Sequence, residues 1–260
     1  MLEALLAFVA GLLIGSFLNV CIYRMPRDLS VVSPRSFCPA CEHPVAWYDN
    51  IPIASFVALR GRCRHCAKRI PIRYPLVEAL TAVLFFGIVL VAGPTVRAAK
   101  MCVFCALTIG LVFSDLEERI LPDEFTLGGI GLGLLFAVLA PFQVMFFGLF
   151  LRWDRRWLSL AEAVVSTIIP ALLLWGLGAL YQKIRHKEGL GLGDVKMVAM
   201  IGAFLGLQAA VLAVMVGSLL GSLIGLAYIY LARKDPGTYE LPFGSFLGAG
   251  AIAVALLSLR

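Results

Sequence analysis

Two cysteine pairs, Cys38-Pro39-Ala40-Cys41 and Cys63-Arg64-His65-Cys66, are separated by 21 residues in a chain of 260. In a C-x-x-C turn both thiolates point the same way. Two such turns supply the four soft ligands of a closed tetrahedral Zn²⁺ site, at a spacing close to that of zinc ribbons. Four cysteines leave no open coordination position, so such a site is structural. The competing readings are a redox dithiol and unpaired surface cysteines. His43 lies outside the four-ligand count, and His65, inside a knuckle, is an alternative ligand. Cys102 and Cys105 stand at i, i+3 in an apolar run and read as small buried side chains, as does Cys21.

Acidic residues beside apolar runs are costly and become functional candidates. Asp115 follows the run that ends Gly110-Leu111-Val112-Phe113-Ser114, and Asp194 closes Gly189-Leu190-Gly191-Leu192-Gly193-Asp194. Two carboxylates brought together do not both ionise easily and share a proton. One can then deprotonate water while the other protonates a peptide carbonyl and its leaving amine. Gly191 and Gly193 would let an extended substrate backbone approach. The alternative is local: Asp194 as the N-cap of its helix and Asp115 as the polar end of a span. Asp123, in Leu121-Pro122-Asp123-Glu124, reads mainly as a helix-start signal. Lys196, beside Asp194, is placed to steady a carboxylate or an oxyanion. Glu117, Glu118 and Arg119 read as a solvated turn.

The elements that position these groups are membrane helices. The composition is 61% hydrophobic and 15% charged, with mean hydropathy +0.93, too apolar for a soluble domain of this length. A spanning helix needs about 20 apolar residues, and eight runs fit, near 2–22, 76–93, 100–114, 125–148, 161–181, 195–208, 210–231 and 243–259. The seventh is the least secure, with only Gly206-Leu207-Gln208 before it. The first run has no basic region before it and no A-x-A-like site, so it reads as a retained helix. Residues 24–75 instead carry nine Lys or Arg and seven prolines, which predicts an extramembrane insert of short turns and strands. Too small for a strong core, it needs a metal staple.

The fold class expected is therefore an all-α polytopic membrane protein of about eight helices with a small zinc-ribbon-like insert. Its parts are 1–23, the first helix; 24–75, the insert; and 76–260, the membrane core. Sixteen of the 22 Lys and Arg fall on the side of the insert, which places it in the cytoplasm with both termini outside; the cluster at 152–156 departs from this bias. There thiols stay reduced and favour metal over disulfides. The +6 charge belongs to these loops, so no nucleic-acid partner is expected. Asp115 and Asp194 then lie at similar depth near the cytoplasmic face.

These residues together resemble the type IV prepilin peptidase family, which also serves type II secretion. Gly15-Ser16-Phe17-Leu18-Asn19-Val20 and Tyr23-Arg24-Met25-Pro26 resemble its first helix and exit, and the cysteine pairs its zinc-binding loop. Asn50-Ile51-Pro52 and Arg73-Tyr74-Pro75-Leu76-Val77-Glu78 match the flanks of that loop. Asp115 with the following Leu-Pro-Asp at Asp123, and Gly191-Leu192-Gly193-Asp194-Val195-Lys196, match its two aspartate regions. The resemblance implies an aspartic endopeptidase of the bacterial inner membrane. It would cut the basic leader of prepilins or pseudopilins after a glycine, with Asp115 and Asp194 as the catalytic pair. It also implies N-methylation of the new terminus from S-adenosylmethionine, at a site the sequence does not locate. Partners would be these substrates and membrane lipid; substrate identity and oligomeric state stay open. Where the family usually has proline, this chain has Ser245, expected to alter the last inner loop while touching neither aspartate. Rival readings are a presenilin-type protease, disfavoured by the cysteine insert; a proton- or cation-coupled transporter, disfavoured by the lack of repeated broken helices; and a non-enzymatic zinc-bearing scaffold.

Overall fold

The structure, a computed structural model, describes residues 1–141, 154–186, 190–231 and 241–259. Among these residues there are nine α-helices and no β-strand: α1 (Leu2–Arg24), α2 (Ala54–Ala58), α3 (Arg73–Ala92), α4 (Val96–Glu118), α5 (Asp123–Leu139), α6 (Arg155–Arg185), α7 (Leu192–Leu205), α8 (Leu207–Leu231) and α9 (Phe243–Leu257). Each expected span falls on a helix. α1, α3, α4, α6 and α8 are long and apolar enough to cross a membrane, and α9 is a shorter apolar helix. α7, with 14 residues, is about 21 Å long at 1.5 Å per residue, short of a hydrocarbon layer of about 30 Å. Gly206, at φ 86°, separates α7 from α8 in a conformation that glycine adopts most readily. The far end of the 125–148 run, Arg152 of the basic cluster, residues 187–189 and most of the 232–242 loop lie outside the described residues.

The chain divides into two units, Met1–Gly110 and Leu111–Arg260, with the division inside α4. In the first unit α1 packs on α3. Gly11 and Gly15 make this close approach possible: a Cβ there would come 2.6 Å from Ala82 Cα and 2.7 Å from Glu78 Cα. Small residues spaced by four let helix backbones meet where lipid gives no hydrophobic drive. The buried Asn19 amide donates to the Tyr74 carbonyl (3.0 Å), tying α1 to the start of α3. Arg24 is only 4% exposed and donates to the carbonyls of Ser30, Pro34 and Arg35, so one guanidinium folds the chain back as it leaves α1.

The insert differs from the expected turns and strands. It holds 3₁₀ turns at Met25–Arg27 and Trp47–Asn50, the short helix α2, and two isolated bridges, Phe37 to Pro44 and Arg62 to Arg69. Each bridge closes one tight cysteine turn, 38–43 or 63–68, so the chain reverses directly on its inner side. α2 begins after Ile53, whose φ of +59° is unusual for a β-branched residue. The Glu78 carboxylate accepts the Ile53 N–H at 2.7 Å and anchors that turn to α3. Arg73, Tyr74 and Pro75 form the first turn of α3, where a proline is tolerated because the N–H would be unpaired in any case.

In the second unit α7 is the most enclosed helix, with Met197–Phe204 buried throughout; it packs on α5, α6 and α8, and α8 packs on α9. Pro170 lies inside α6. A proline cannot donate to the carbonyl four residues earlier, which is that of Ser166, and Gly202 of α7 lies directly against that carbonyl.

The α1–α3 contact gives a test. A Cβ at Gly87 of α3 meets nothing within 4 Å, so Gly87→Ala should leave the melting temperature in detergent unchanged or slightly raised. Gly15→Val should lower it, by an amount corresponding to about 1–3 kcal/mol for an overpacked contact.

Candidate functional site

The two cysteine knuckles are built alike. In the first, Cys38 N–H donates to the His43 carbonyl, Glu42 N–H to the Cys38 carbonyl and Val45 N–H to the Ser36 carbonyl, at 3.0, 2.8 and 2.7 Å. In the second, Cys63 donates to Lys68, Ala67 to Cys63 and Ile70 to Gly61, at 2.9, 3.0 and 2.8 Å. Every group in the second set lies 25 residues after its counterpart, as Cys63 does after Cys38. The left-handed residues obey the same shift: Glu42 at φ 56° and Ala67 at φ 55°. Backbone geometry thus aims two sulfurs from each turn at one point.

All four Sγ atoms, of Cys38, Cys41, Cys63 and Cys66, lie within 4.8 Å of one another, and Cys38 Sγ is 3.9 Å from Cys66 Sγ. Tetrahedral bonds of about 2.3 Å would set sulfurs about 3.8 Å apart, so the cluster can hold a metal ion. The thiols also resist standing together unneutralised. The backbone N–H groups of Cys66 and His65 lower the Cys63 pKa to about 7. Cys41 is held up at about 11: the His43 N–H favours its thiolate, but desolvation and the three neighbouring sulfurs outweigh it. A bound cation would remove that conflict. His43 and His65 stack on each other, ring centroids 3.6 Å apart. Arg64 braces the second knuckle by a two-pronged bond to Asp49 (2.6 and 2.8 Å). Cys21, Cys102 and Cys105 are buried.

The aspartates belong to the other unit. Asp115 lies in the last turn of α4 and is 6% exposed. Asp194 stands in the first turn of α7, half-buried, with its charge close enough to Asp115 for the two to interact. Gly191 is the N-cap and has no side chain with which to cap; Asp194 is therefore not the cap residue. Leu121 fits between two helix starts. A Cβ on Gly193 would lie 3.0 Å from Leu121 Cβ, and one on Gly244 3.1 Å from Leu121 Cδ1 and 3.2 Å from Asp115 Cγ. Gly193 thus serves close packing on Leu121, while Gly191 is exposed. The first turns of α7 and α9 meet around the end of α4.

Ser245 is the residue that sequence reasoning missed. Expected to touch neither aspartate, it donates to Asp115 Oδ2 from both its backbone N–H and its hydroxyl, each at 2.7 Å. The pairing joins residues 130 apart in sequence, so no local pattern announces it. The available signal was general: a helix starting at Pro242-Phe243-Gly244-Ser245 has first-turn N–H groups without intrahelical acceptors. Lys196 finds its carboxylate in Asp123, at 2.7 and 2.9 Å, which ties α7 to the start of α5. Pro122 is the α5 N-cap residue, in keeping with the helix-start reading of this segment.

Comparison with known proteins covers nearly the whole chain. Residues 9–92 match the family described as bacterial peptidase A24 N-terminal domain, and residues 102–226 match the type IV leader peptidase family. The chain is similar to the prepilin leader peptidase/N-methyltransferase of Aeromonas hydrophila, at 35% identity over 96% of this chain and 89% of that one. The protein of the same name from Pseudomonas putida is also 35% identical, with the same coverage. That of Myxococcus xanthus is 38% identical over 91% of this chain and 67% of its own. No solved structure matches the chain.

The Lys196–Asp123 pair is partly exposed, 35% and 56% by side chain, so solvent screens it. A double-mutant cycle on Lys196→Met and Asp123→Asn, read by unfolding in detergent, should give a coupling of about 0.2–1 kcal/mol. A value several times larger would show that the pair is desolvated in the membrane.

Proposed function

The chain belongs to the type IV leader peptidase family, and on that premise we propose that it is a membrane aspartic endopeptidase that removes the leader of type IV prepilins or pseudopilins after a glycine. The observation that carries this reading is the similarity to prepilin leader peptidase/N-methyltransferases along 96% of the chain, which takes in both aspartate regions. The buried Asp115, beside Asp194 in a membrane protein, supports it chemically.

In this reading Asp115 and Asp194 share one proton. The ionised carboxylate takes a proton from water as the water oxygen bonds to the scissile carbonyl carbon. The other carboxyl gives its proton to the carbonyl oxygen. When the tetrahedral intermediate collapses, the C–N bond breaks, the proton held by the first carboxyl passes to the leaving amine, and a hydroxyl of the intermediate returns its proton to the second carboxylate as the C=O bond re-forms. The exposed Gly191 leaves room for substrate backbone beside Asp194. Residues 24–75 face the cytoplasm, where a basic leader waits, and 76–260 form the membrane core in the inner membrane. N-methylation of the new terminus from S-adenosylmethionine completes the proposed activity; the names of the relatives support it.

We assign the metal as Zn²⁺, held by Cys38, Cys41, Cys63 and Cys66. It would neutralise the thiolates and close the insert, with no part in hydrolysis.

Two outcomes are expected. A synthetic peptide with a basic leader, a glycine and a hydrophobic segment, in proteoliposomes, should be cut after the glycine by the wild type. Asp115→Asn and Asp194→Asn should each lose nearly all turnover. Intact folding with undiminished cleavage in both variants would remove the dyad, and mass spectrometry of the product with S-adenosylmethionine present would reveal a gain of one methylene if methylation is retained. Separately, purified protein should carry about one zinc per chain. Cys41→Ser should release it and speed hydrogen exchange in the insert, while the helical bundle keeps its protection.

A further inference from the structure

We infer that Leu121 is a specificity-determining residue for the proposed cleavage: its side chain walls the space beside the two carboxyl groups, so that the residue before the scissile bond must be glycine. This role rests on the reading of Asp115 and Asp194 as the catalytic pair. Two helix starts frame that pair, α7 at Gly193 and α9 at Gly244, and Leu121 fills the gap between them. Leu121 Cδ1 lies 3.1 Å from the place a Cβ would take on either glycine. The place beside Gly244 is also 3.2 Å from Asp115 Cγ, and Gly193 directly precedes Asp194. One isobutyl group therefore sits against the backbone next to each carboxyl. It is only partly buried, so part of it faces open space and not core.

The wall is held from both sides. Before it, the buried Ser114 hydroxyl donates to the Ile120 carbonyl at 2.9 Å, and the Arg119 N–H donates to the Asp115 carbonyl at 3.1 Å. These bonds turn the chain back onto the end of α4. After it, Pro122 is buried, and its ring fixes the backbone at the start of α5. A side chain held in this way does not swing aside for a larger substrate residue, which would then overpack against it. Its place along the chain decides which substrate residue that is. Leu121 lies past the end of α4, on the side of Asp115 away from the membrane core. In the proposed reaction the leader arrives from that side, and the hydrophobic segment lies on the other. The residue just before the scissile bond, whose carbonyl is attacked, is then the one that faces Leu121. A glycine leaves the space beside the isobutyl group empty; any Cβ has to share it.

The test is a ratio taken within each enzyme in proteoliposomes. It compares kcat/KM for the glycine leader peptide with that for the same peptide carrying alanine in place of the glycine, with the cut located by mass spectrometry. Both rates come from one preparation, so any loss of folded enzyme cancels. The wild type should favour glycine by about 100-fold, the discrimination that one methyl group meets at a rigid wall. Leu121→Ala should reduce the ratio to about 10-fold or less, with Leu121→Val between the two. Leu121→Met, which conserves volume, should stay near the wild type. A residue that only packs α7 against α9 would lower both rates together and leave the ratio where it was. Should Leu121→Ala fail to fold, Leu121→Val decides. A ratio within about twofold of wild type in the shortened variants would overturn the inference, as would a wild type that cuts both peptides equally well. If Asp115→Asn and Asp194→Asn abolish cleavage while the ratio holds, only the role of Leu121 falls. If the aspartate variants retain cleavage, the dyad itself falls.

Discussion

A carboxylate buried at the end of an apolar helix must find hydrogen-bond donors in the protein, because burial removes most of the solvent contact that would otherwise supply them. That constraint organises the second half of this chain. Asp115 meets it at the first turn of α9, where the Ser245 N–H has a longer bond to the Pro242 carbonyl, 3.2 Å, than to Asp115 Oδ2, 2.7 Å. A local want of donors at Asp115 is met across 130 residues of sequence. The starts of α5, α7 and α9 are held around this point by the Lys196–Asp123 pair, by Leu121 against Gly193 and Gly244, and by Ser245. Each start carries the positive end of a helix dipole, so the place where two carboxyl groups approach is also where the backbone best tolerates negative charge.

Such an arrangement needs helices that approach closely, and in lipid that depends on shape rather than on hydrophobic drive. The glycines supply the shape. Gly11 and Gly15 let α1 touch the backbone of α3, and Gly202 sits on the Ser166 carbonyl, to which Pro170 has no N–H to donate. A Cβ that meets nothing at Gly87 is therefore obstructed at Gly15 by the Glu78 backbone. Glycine number alone does not distinguish these positions; the neighbour facing each one does.

Much of this was legible in the sequence where chemistry is local. Apolar runs marked each long helix, because hydropathy over a window the length of a bilayer leaves few alternatives. The cysteine turns announced their sulfurs because the spacing within C-x-x-C is itself the geometry. The break at Gly206 was visible as the interruption of a continuous apolar stretch. What could not be read was pairing between distant segments. Lys196 was placed near a carboxylate by its position after Asp194, yet its partner is Asp123, one helix away. Ser245 was seen only as a departure from a pattern in a loop, since nothing in Pro242-Phe243-Gly244-Ser245 says which acid it faces. The insert was expected to contain strands; its bridges stop after one pair each, because each encloses a tight cysteine turn.

The shift of 25 residues between the knuckles has a polymer-physics consequence. Each turn carries its own set of backbone hydrogen bonds, so a metal ion held by the four sulfurs would fasten two such turns into a ring. Closing a ring of about 20 residues removes some 3 kcal/mol worth of disorder from the open chain, a sum this small segment has little core to supply. With a metal bound only in the closed form, that form would be populated according to the ratio of free metal to its dissociation constant. The chemical potential of the ion in the surrounding medium would then add to the side-chain anchors at Glu78 and Asp49 in holding residues 38–66 as a folded body.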